Sequence, residues 1–543
     1  MEKRTILAIV LSLAVLLGFQ YFFPPAQPPK PAAVSGKGAG AAPAAKPVST
    51  DTTAKATQPA ADTKVAKKPA AAPAPVAEIE EGELVFVETT LYRAEIDTLG
   101  GRLKSFYLKE YKTENTPDSP ELNLVTVTGN GIYPLTGEVK IADKWQPDAR
   151  LRFQPPAAGK QLQIDEKHRT LRLEARLPEG GRLIKEFHFE PATYVVGVDY
   201  TATDKSGNEL PIAAVRLNWS HSSAGQKKSR YVYNGIIGYI NDKLFKPGKK
   251  DKEVARQELI GKINWLGYTS KYFLSALLVP EKGAPGATRG IISRNDADNL
   301  MVTFEAGGAS RLRAYIGPKS SELLKPLQLH LEDSIEYGWF GIIARPLVSL
   351  LHFLYQYIHN YGVAIIILTI LIKLAFYPLS QKSYKSMSQM KKVQPKLAKL
   401  KEKHKDDKAR LNKEMMDLYR THKVNPFGGC LPMLVQIPVF FALYRALMVA
   451  IELRHAPFVF WITDLSAKDP YYVTPLIMGA TMFLQQKMTP STGDAMQAKM
   501  MLFMPIIFTF MFLNFPSGLV LYWLVNNILS IGQQYLVMRQ VEA

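Results

Sequence analysis

The chain has 543 residues, with 67 Lys+Arg against 48 Asp+Glu and a net charge of +19, and at about 100–200 residues per domain it is too long for one. A mean hydropathy of −0.06 hides a split between a polar stretch, 24–350, and long apolar runs over 360–540, which excludes a wholly soluble enzyme. The one cysteine, Cys430, leaves no disulfide framework and no cysteine-based metal cluster, and the basic excess points to anionic lipid, nucleic acid or acidic polypeptide as partner.

The chain opens on a basic head, Lys3-Arg4, and an apolar run over 6–23 that ends in Tyr21-Phe22-Phe23-Pro24-Pro25. A cleaved signal peptide and an uncleaved anchor both begin this way. The length of the run and its aromatic end favour a signal-anchor span over 1–23. Residues 24–80, rich in Pro, Ala and Lys, bury too little apolar surface to offset ordering entropy and read as a disordered tether. From Leu84 the pattern alternates with period two. Tyr92, Ala94 and Ile96 interleave with Arg93, Glu95 and Asp97, and Leu171, Leu173, Ala175 and Leu177 with Arg172, Glu174 and Arg176. Val196, Val198, Tyr200 and Ala202 form a third such set. Many short strands between turn signals predict a large antiparallel sandwich over 81–335. Its histidines, His168, His188, His221 and His330, show no metal-ligand spacing and read as surface or packed residues.

Over 339–358, Arg345, Ser349, His352 and Gln356 fall on one face of a helix, and Phe340, Ile343, Leu347, Leu350 and Leu354 on the other. Such an amphipathic helix, within 336–360, lies in the membrane interface or packs on the sandwich; its place just before the next span favours the interface. Five further runs, 362–379, 426–451, 472–487, 500–515 and 519–538, are candidate spans, and 472–487 is short for a span. The last two are joined by Pro516-Ser517-Gly518, a tight turn.

The loop 380–425 holds 14 Lys/Arg against 5 Asp/Glu, whereas 452–471 has Arg454 and Lys468 against Glu452, Asp464 and Asp469. With Lys3 and Arg4 inside, six spans with both termini cytoplasmic satisfy every loop, and 24–361 then lies outside, the periplasm of a bacterium. Residues 382–423 read as a basic helical hairpin, with Asp406 or Asp407 capping its second helix. Its charge serves topology alone, contacts anionic lipid or ribosomal RNA, or docks polypeptides. Fifteen of 17 methionines lie beyond residue 386. Met387, Met390, Met415 and Met416, with Lys391 and Lys392, are candidates for cytoplasmic substrate or partner contact, since flexible thioethers suit varied apolar partners. Filler in membrane packing explains methionine equally well.

Polar residues interrupt the spans. Thr369, Lys373 and Tyr377 form a stripe at i, i+4 and i+8, with Lys373 near the middle of its span. Gln436 lies between Pro432 and Pro438, Thr481 and Gln485 mark the fourth span, and Tyr522, Asn526, Ser530 and Gln533 mark the last. No acidic residue stands mid-membrane to pair with Lys373. Lys373 either snorkels to the headgroups or faces a hydrated concavity. The matching stripes on other helices favour a groove lined by Lys373, Thr369, Tyr377, Gln436, Thr481, Gln485, Tyr522 and Asn526. No P-loop pattern or paired catalytic residues are found, so no cofactor, metal or catalytic residue is expected. A small-anion channel or transporter using Lys373 is the alternative reading from another class.

Three segments carry a resemblance: Asn425-Pro426-Phe427-Gly428-Gly429-Cys430-Leu431-Pro432, Asp464-Leu465-Ser466-Ala467-Lys468-Asp469-Pro470-Tyr471-Tyr472, and Phe515-Pro516-Ser517-Gly518-Leu519-Val520-Leu521-Tyr522. With them the chain resembles the YidC/Oxa/Alb family of membrane-protein insertases, in its Gram-negative form, over its whole length. The resemblance implies a multi-pass α-helical membrane protein with six spans, a five-helix insertase core over 361–543 and a periplasmic antiparallel β-supersandwich of the kind found in sugar mutarotases. It also implies a hydrophilic groove, closed outward, that receives the polar segment of a nascent inner-membrane protein and releases its apolar span into lipid. The implied partners are nascent membrane proteins, the Sec translocon and its accessory subunits, the ribosome and signal-recognition components, and anionic phospholipids, with the protein working as a monomer. The family's groove cation is usually arginine. Lys373 stands at that position here and keeps the charge without the bidentate fork.

Overall fold

The computed structural model describes residues 81–543 except 128–130, 157–158, 223–231, 249–255, 281–287, 295–298, 309, 405–406, 423, 425–430, 490–494 and 543. The expected signal anchor and tether lie outside the described residues.

Strands fill the region from Leu84 to Pro318 and pair in three sheets of five, nine and six strands. The alternation read from the sequence is the alternation that packs. Tyr92, Ala94 and Ile96 are fully buried, as are Leu171, Leu173, Val196, Val198 and Ala202 or nearly so. The nine- and six-stranded sheets meet face to face, with Trp265 and Leu266 of one and Trp219 and Phe304 of the other inside a common core. The five-stranded sheet joins that core through Tyr92, which stacks on Phe106 and reaches Tyr194. Two features depart from a plain antiparallel sandwich. There is a third sheet, and Leu84–Glu88 pairs in parallel with Gln161–Gln163, a segment that returns to the sheet edge after a long excursion.

Asp97, an outward position in the alternation, is fully buried because it closes a local network. Arg102 donates to it from Nε at 3.0 Å and from a terminal nitrogen at 2.8 Å, and the backbone N–H groups of Gly82 and Leu99 donate at 2.9 Å. A second buried charge lies deeper. Lys185 is the cross-strand neighbour of Tyr200, and its Nζ donates to Asp148 at 2.7 Å and to the carbonyls of Gly100 and Leu135 at 3.1 and 2.6 Å. The Tyr200 hydroxyl donates to the same Asp148 oxygen at 2.7 Å, and the Gly137 N–H donates to the other at 2.8 Å. Every donor of the ammonium is used, which is the condition for tolerating a charge in a dry core.

Among the described residues, a one-turn helix at Ser321–Leu324 and then eight longer helices follow, labelled here α1 Gly341–Ile358, α2 Tyr361–Ala375, α3 Tyr377–Lys403, α4 Lys408–Thr421, α5 Leu431–Val449, α6 Val473–Met488, α7 Ala495–Phe512 and α8 Ser517–Glu542. Helix α1 buries Ala344, Val348 and Leu351, a stripe between its two expected faces, so it packs on its neighbours while Ile342 and Phe353 stay exposed. Asn360 caps α2 by accepting from the Val363 N–H at 3.1 Å, and it donates to the Phe458 carbonyl at 3.0 Å.

Helix α2 ends early. Pro378, at the start of α3, disfavours helical backbone just before it, and α3 leaves at 66° to α2. The expected run 362–379 is therefore a 15-residue helix followed by a bend. Lys373 consequently sits in the last turn of α2, not near the middle of a longer span. Helices α3 and α4 form the basic hairpin. Asp407 caps α4, accepting from the Arg410 N–H at 2.9 Å, and Met390, Val393, Leu397 and Tyr419 close the hairpin's own core. Where α6 crosses α7, Gly479 lies so close to Thr509 that no Cβ fits there.

Among the described residues, one helix, Gly338–Ile358 with its opening turn, is long and apolar enough to cross a membrane alone. The bent pair α2 and α3 counts as a second only if taken together. Helix length by itself thus does not establish six spans.

Lys185→Met removes one partner of the buried pair and leaves Asp148 uncompensated. The expected cost is about 3–5 kcal/mol, read as early loss of amide-exchange protection in the strands 182–189 and 195–203 of the full-length protein, with the α5–α8 amides unaffected.

Candidate functional site

The polar residues of the helical region divide into two groups on either side of α8, because Asn526 and Asn527 point about a quarter turn apart on one helix. Toward α2 and α5, the Lys373 Nζ donates to the Ser530 hydroxyl at 2.7 Å, and that hydroxyl donates to the Asn526 carbonyl at 2.6 Å. The Asn526 side-chain oxygen accepts from Gln436 Nε2 at 2.6 Å. The buried Tyr522 hydroxyl approaches Gln436 without a hydrogen bond of normal geometry. Lys373, Gln436 and Asn526 are each half-buried, so this line of polar atoms is partly open. Around it the outward faces are apolar: Ile370, Leu371 and Leu374 on α2, Val435, Ile437 and Phe441 on α5, and Phe503, Ile507 and Phe510 on α7 are all exposed.

Toward α6, Asn527 Nδ2 donates to the Thr481 hydroxyl at 3.4 Å, and Thr481 donates in turn to the Met478 carbonyl at 2.7 Å. Thr481 therefore belongs to this second seam and not to the line around Lys373, and Gln485 follows four residues later on the same helix. Thr369 is buried and spends its hydroxyl on the Ile365 carbonyl one turn back, at 2.6 Å. Tyr377 falls beyond the bend, is 43 % exposed, and meets α8 through its carbonyl, which accepts from Gln533 at 3.3 Å. The stripe Thr369, Lys373, Tyr377 is thus cut by the break that Pro378 imposes. On the hairpin, Met390 is buried and Met415 packs against the same core, while Lys391, Lys392 and Met416 lie on the outer surface and Met387 is half-buried.

Four polar residues take places in the structure that the sequence reading does not assign to them. Ser530 was part of a stripe, and the structure makes it the acceptor for Lys373. Asn527 and Gln534, seven residues apart on the buried face of α8, repeat the polar spacing of their neighbours, which was the available signal. Asp469 is the fourth. It is buried in the loop before α6 and accepts from the Thr474 N–H and hydroxyl at 2.8 and 2.7 Å, and from the Tyr471 N–H and the Trp461 indole at 3.0 Å each. The same loop holds the α7–α8 turn. The N–H and hydroxyl of Ser517 both donate to the Ala467 carbonyl, and the Gly518 N–H donates to that of Leu465. Among the described residues no cluster of His, Cys, Asp or Glu is placed to hold a metal.

Two family models match the chain: the 60Kd inner membrane protein over residues 353–543, and the YidC periplasmic domain over residues 84–350. The membrane protein insertase YidC of Syntrophus aciditrophicus (strain SB) is 44 % identical, with 99 % of this chain and 100 % of that protein covered. The YidC of Geotalea daltonii is 41 % identical, with both chains fully covered. The chain belongs to the YidC family. It is thus a member of a family of membrane proteins with a periplasmic domain. A YidC insertase crystal structure with its first transmembrane domain resolved aligns at TM-score 0.39 and 19 % identity, covering 85 % of this chain and 94 % of that one. A galactose mutarotase-like protein from Lactobacillus casei aligns at TM-score 0.29 and 11 % identity, over 44 % of this chain and all of that one. Overlaps this low carry no further argument. The YidC relatives give no support to a small-anion channel or transporter.

Burial pushes the Asp469 carboxyl up, but the donors from Thr474, Tyr471 and Trp461 outweigh it and hold the group below the usual carboxylate range. The stabilisation it gives is complete above the unfolded-state value near pH 4 and is lost as the pH falls through the lowered folded value. Asp469→Ala is expected to cost about 1–3 kcal/mol at neutral pH, and the gap in melting temperature to the parent protein should narrow below about pH 4.

Proposed function

We propose that the chain is an insertase, with no chemical step of its own, for proteins entering the bacterial inner membrane, and that the line from Lys373 through Ser530 and Asn526 to Gln436 is where the polar segment of the incoming chain is held. The observation that carries this is the Lys373 contact. Its ammonium rests on a neutral hydroxyl at 2.7 Å, within helices whose outer faces are apolar. A polar tail leaving water meets donors, acceptors and a positive charge there in place of hydrocarbon, which lowers the desolvation barrier. The apolar part of the same chain passes outward between α5 and α7 into lipid. Partition of that apolar surface supplies the driving force, and no nucleotide is consumed.

In this reading α2 and α5–α8 are the five spans of the core, and the run 6–23 is the sixth, with both termini cytoplasmic and the β-rich region in the periplasm. The hairpin α3–α4 projects inward, and Lys391, Lys392, Met416 and Met387 meet the nascent chain, the ribosome or signal-recognition components before the groove does. Anionic phospholipids neutralise its excess charge. Work alone as a monomer, or beside the Sec translocon and its accessory subunits, fits the same geometry. Thr369 and Tyr522 complete the groove wall, whereas Thr481 and Gln485 stabilise the opposite side of α8.

Lys373→Glu places a carboxylate where an acidic tail arrives. Insertion of substrates with acidic tails is expected to fall about tenfold or more, while substrates with neutral tails are affected less and Lys373→Arg remains near normal. The assay is protease accessibility of matched substrates in cells where the chain replaces the resident insertase. Equal insertion of acidic and neutral tails by a correctly folded Lys373→Glu protein would refute the electrostatic part of this reading.

A further inference from the structure

The polar stripe of α1 has no part in the Lys373 cluster. Arg345, Ser349, His352 and Gln356 instead line one wall of a cavity of about 280 Å³. The segment 321–337 supplies the opposite wall, including Lys325 and Glu332. Two of the charged groups already have partners. His352 lies 3.4 Å from Glu322 and 3.5 Å from Glu452, and Arg345 donates to Asp333 at 2.7 Å while keeping over half of its side chain exposed. Two do not. Glu332 Oε2 is buried with no hydrogen-bond partner among the described residues, a costly state for a carboxylate oxygen. Lys325 is exposed and makes no ion pair among the described residues. The cavity therefore holds a carboxylate short of a cation together with a cation short of an anion, in far more space than one water fills.

The surroundings are those of a membrane surface. Trp339 and Ile342 are each 89 % exposed at the start of α1, Phe353 is exposed at the cavity edge, and two residues separate α1 from α2. Aromatic and aliphatic side chains left outside on such a helix favour the headgroup level of a bilayer. We infer that this cavity binds the zwitterionic phosphoethanolamine headgroup of a membrane lipid, with its ammonium on Glu332, its phosphate on Lys325 and Arg345, and its acyl chains leaving past Phe353. An anionic headgroup without an amine leaves Glu332 unpaired and adds repulsion. A choline headgroup brings charge but no N–H to donate. The site thus discriminates by headgroup, unlike the general attraction of a basic surface for anionic lipid.

The test uses the full-length protein, delipidated in detergent and titrated with short-chain phosphatidylethanolamine, phosphatidylcholine and phosphatidylglycerol and with free phosphoethanolamine, read by native mass spectrometry and by the fluorescence of Trp339. Phosphatidylethanolamine should bind most tightly. Glu332→Gln should weaken it about tenfold, the loss of one charge-assisted hydrogen bond, and should strengthen phosphatidylglycerol by removing the repulsion. Lys325→Ala, at an exposed position that folding tolerates, should weaken both. Equal binding of the three lipids, or no effect of either substitution, overturns the proposal. Free phosphoethanolamine binding as tightly as the lipid overturns the lipid as its source.

Discussion

A lysine ammonium within an apolar bundle has to be solvated by the protein, and how it is solvated decides what the bundle can do. Lys373 donates to the Ser530 hydroxyl, which in turn donates a hydrogen bond to the Asn526 carbonyl. Both acceptors are neutral. The charge is stabilised without being cancelled, so its field remains available to whatever enters beside it. A carboxylate at position 530 would have closed an ion pair and left nothing to attract an acidic segment. The adjoining Gln436–Asn526 pair has the same character, since amides offer both donors and acceptors and can exchange one partner for another.

The β-rich region contains the opposite solution. Lys185 is fully buried, but Asp148, two carbonyls and the proximity of Tyr200 satisfy it completely. That lysine fixes the approach of three segments and has no capacity left for a ligand. The contrast between Lys185 and Lys373 is one of acceptor balance: the first charge is paired with a carboxylate, the second rests on a neutral hydroxyl. Helix α8 is what allows Lys373 its arrangement. It presents Asn526 and Ser530 to one side and Asn527 to the other, and its N-terminal end is fixed by Ser517 and Gly518 on the loop 464–468.

Much of this was legible in the sequence, because hydrophobic period is a local signal. Strands such as 92–97 and 170–176, the helical hairpin with its Asp407 cap, and the polar marks on each apolar run could all be read from spacing. What could not be read depends on where elements meet. The break of α2 is written in Pro378, yet an apolar run that continues through Leu379 conceals it. Counting i, i+4, i+8 through that break joined Tyr377 to Lys373, although the two lie on different helices. Thr481 has the right composition for the groove but bonds on the other side of α8, and only packing distinguishes one side from the other. Asp97 and Asp148 likewise reveal their burial only once Arg102 and Lys185 are brought beside them.

The brevity of α2 has a consequence for the lipid around it. Fifteen residues rise about 22 Å and the sixteen of α6 about 24 Å, whereas a typical hydrocarbon layer is about 30 Å thick. If α2 and α6 are spans, as proposed above, lipid tails next to them must compress to meet the polar atoms at their ends, and the bilayer is pinched beside each helix. A pinched layer shortens the oily distance that a hydrophilic tail has to cross. On that proposal, part of the assistance given to an incoming chain is a deformation of the solvent itself, set by where one proline stops one helix.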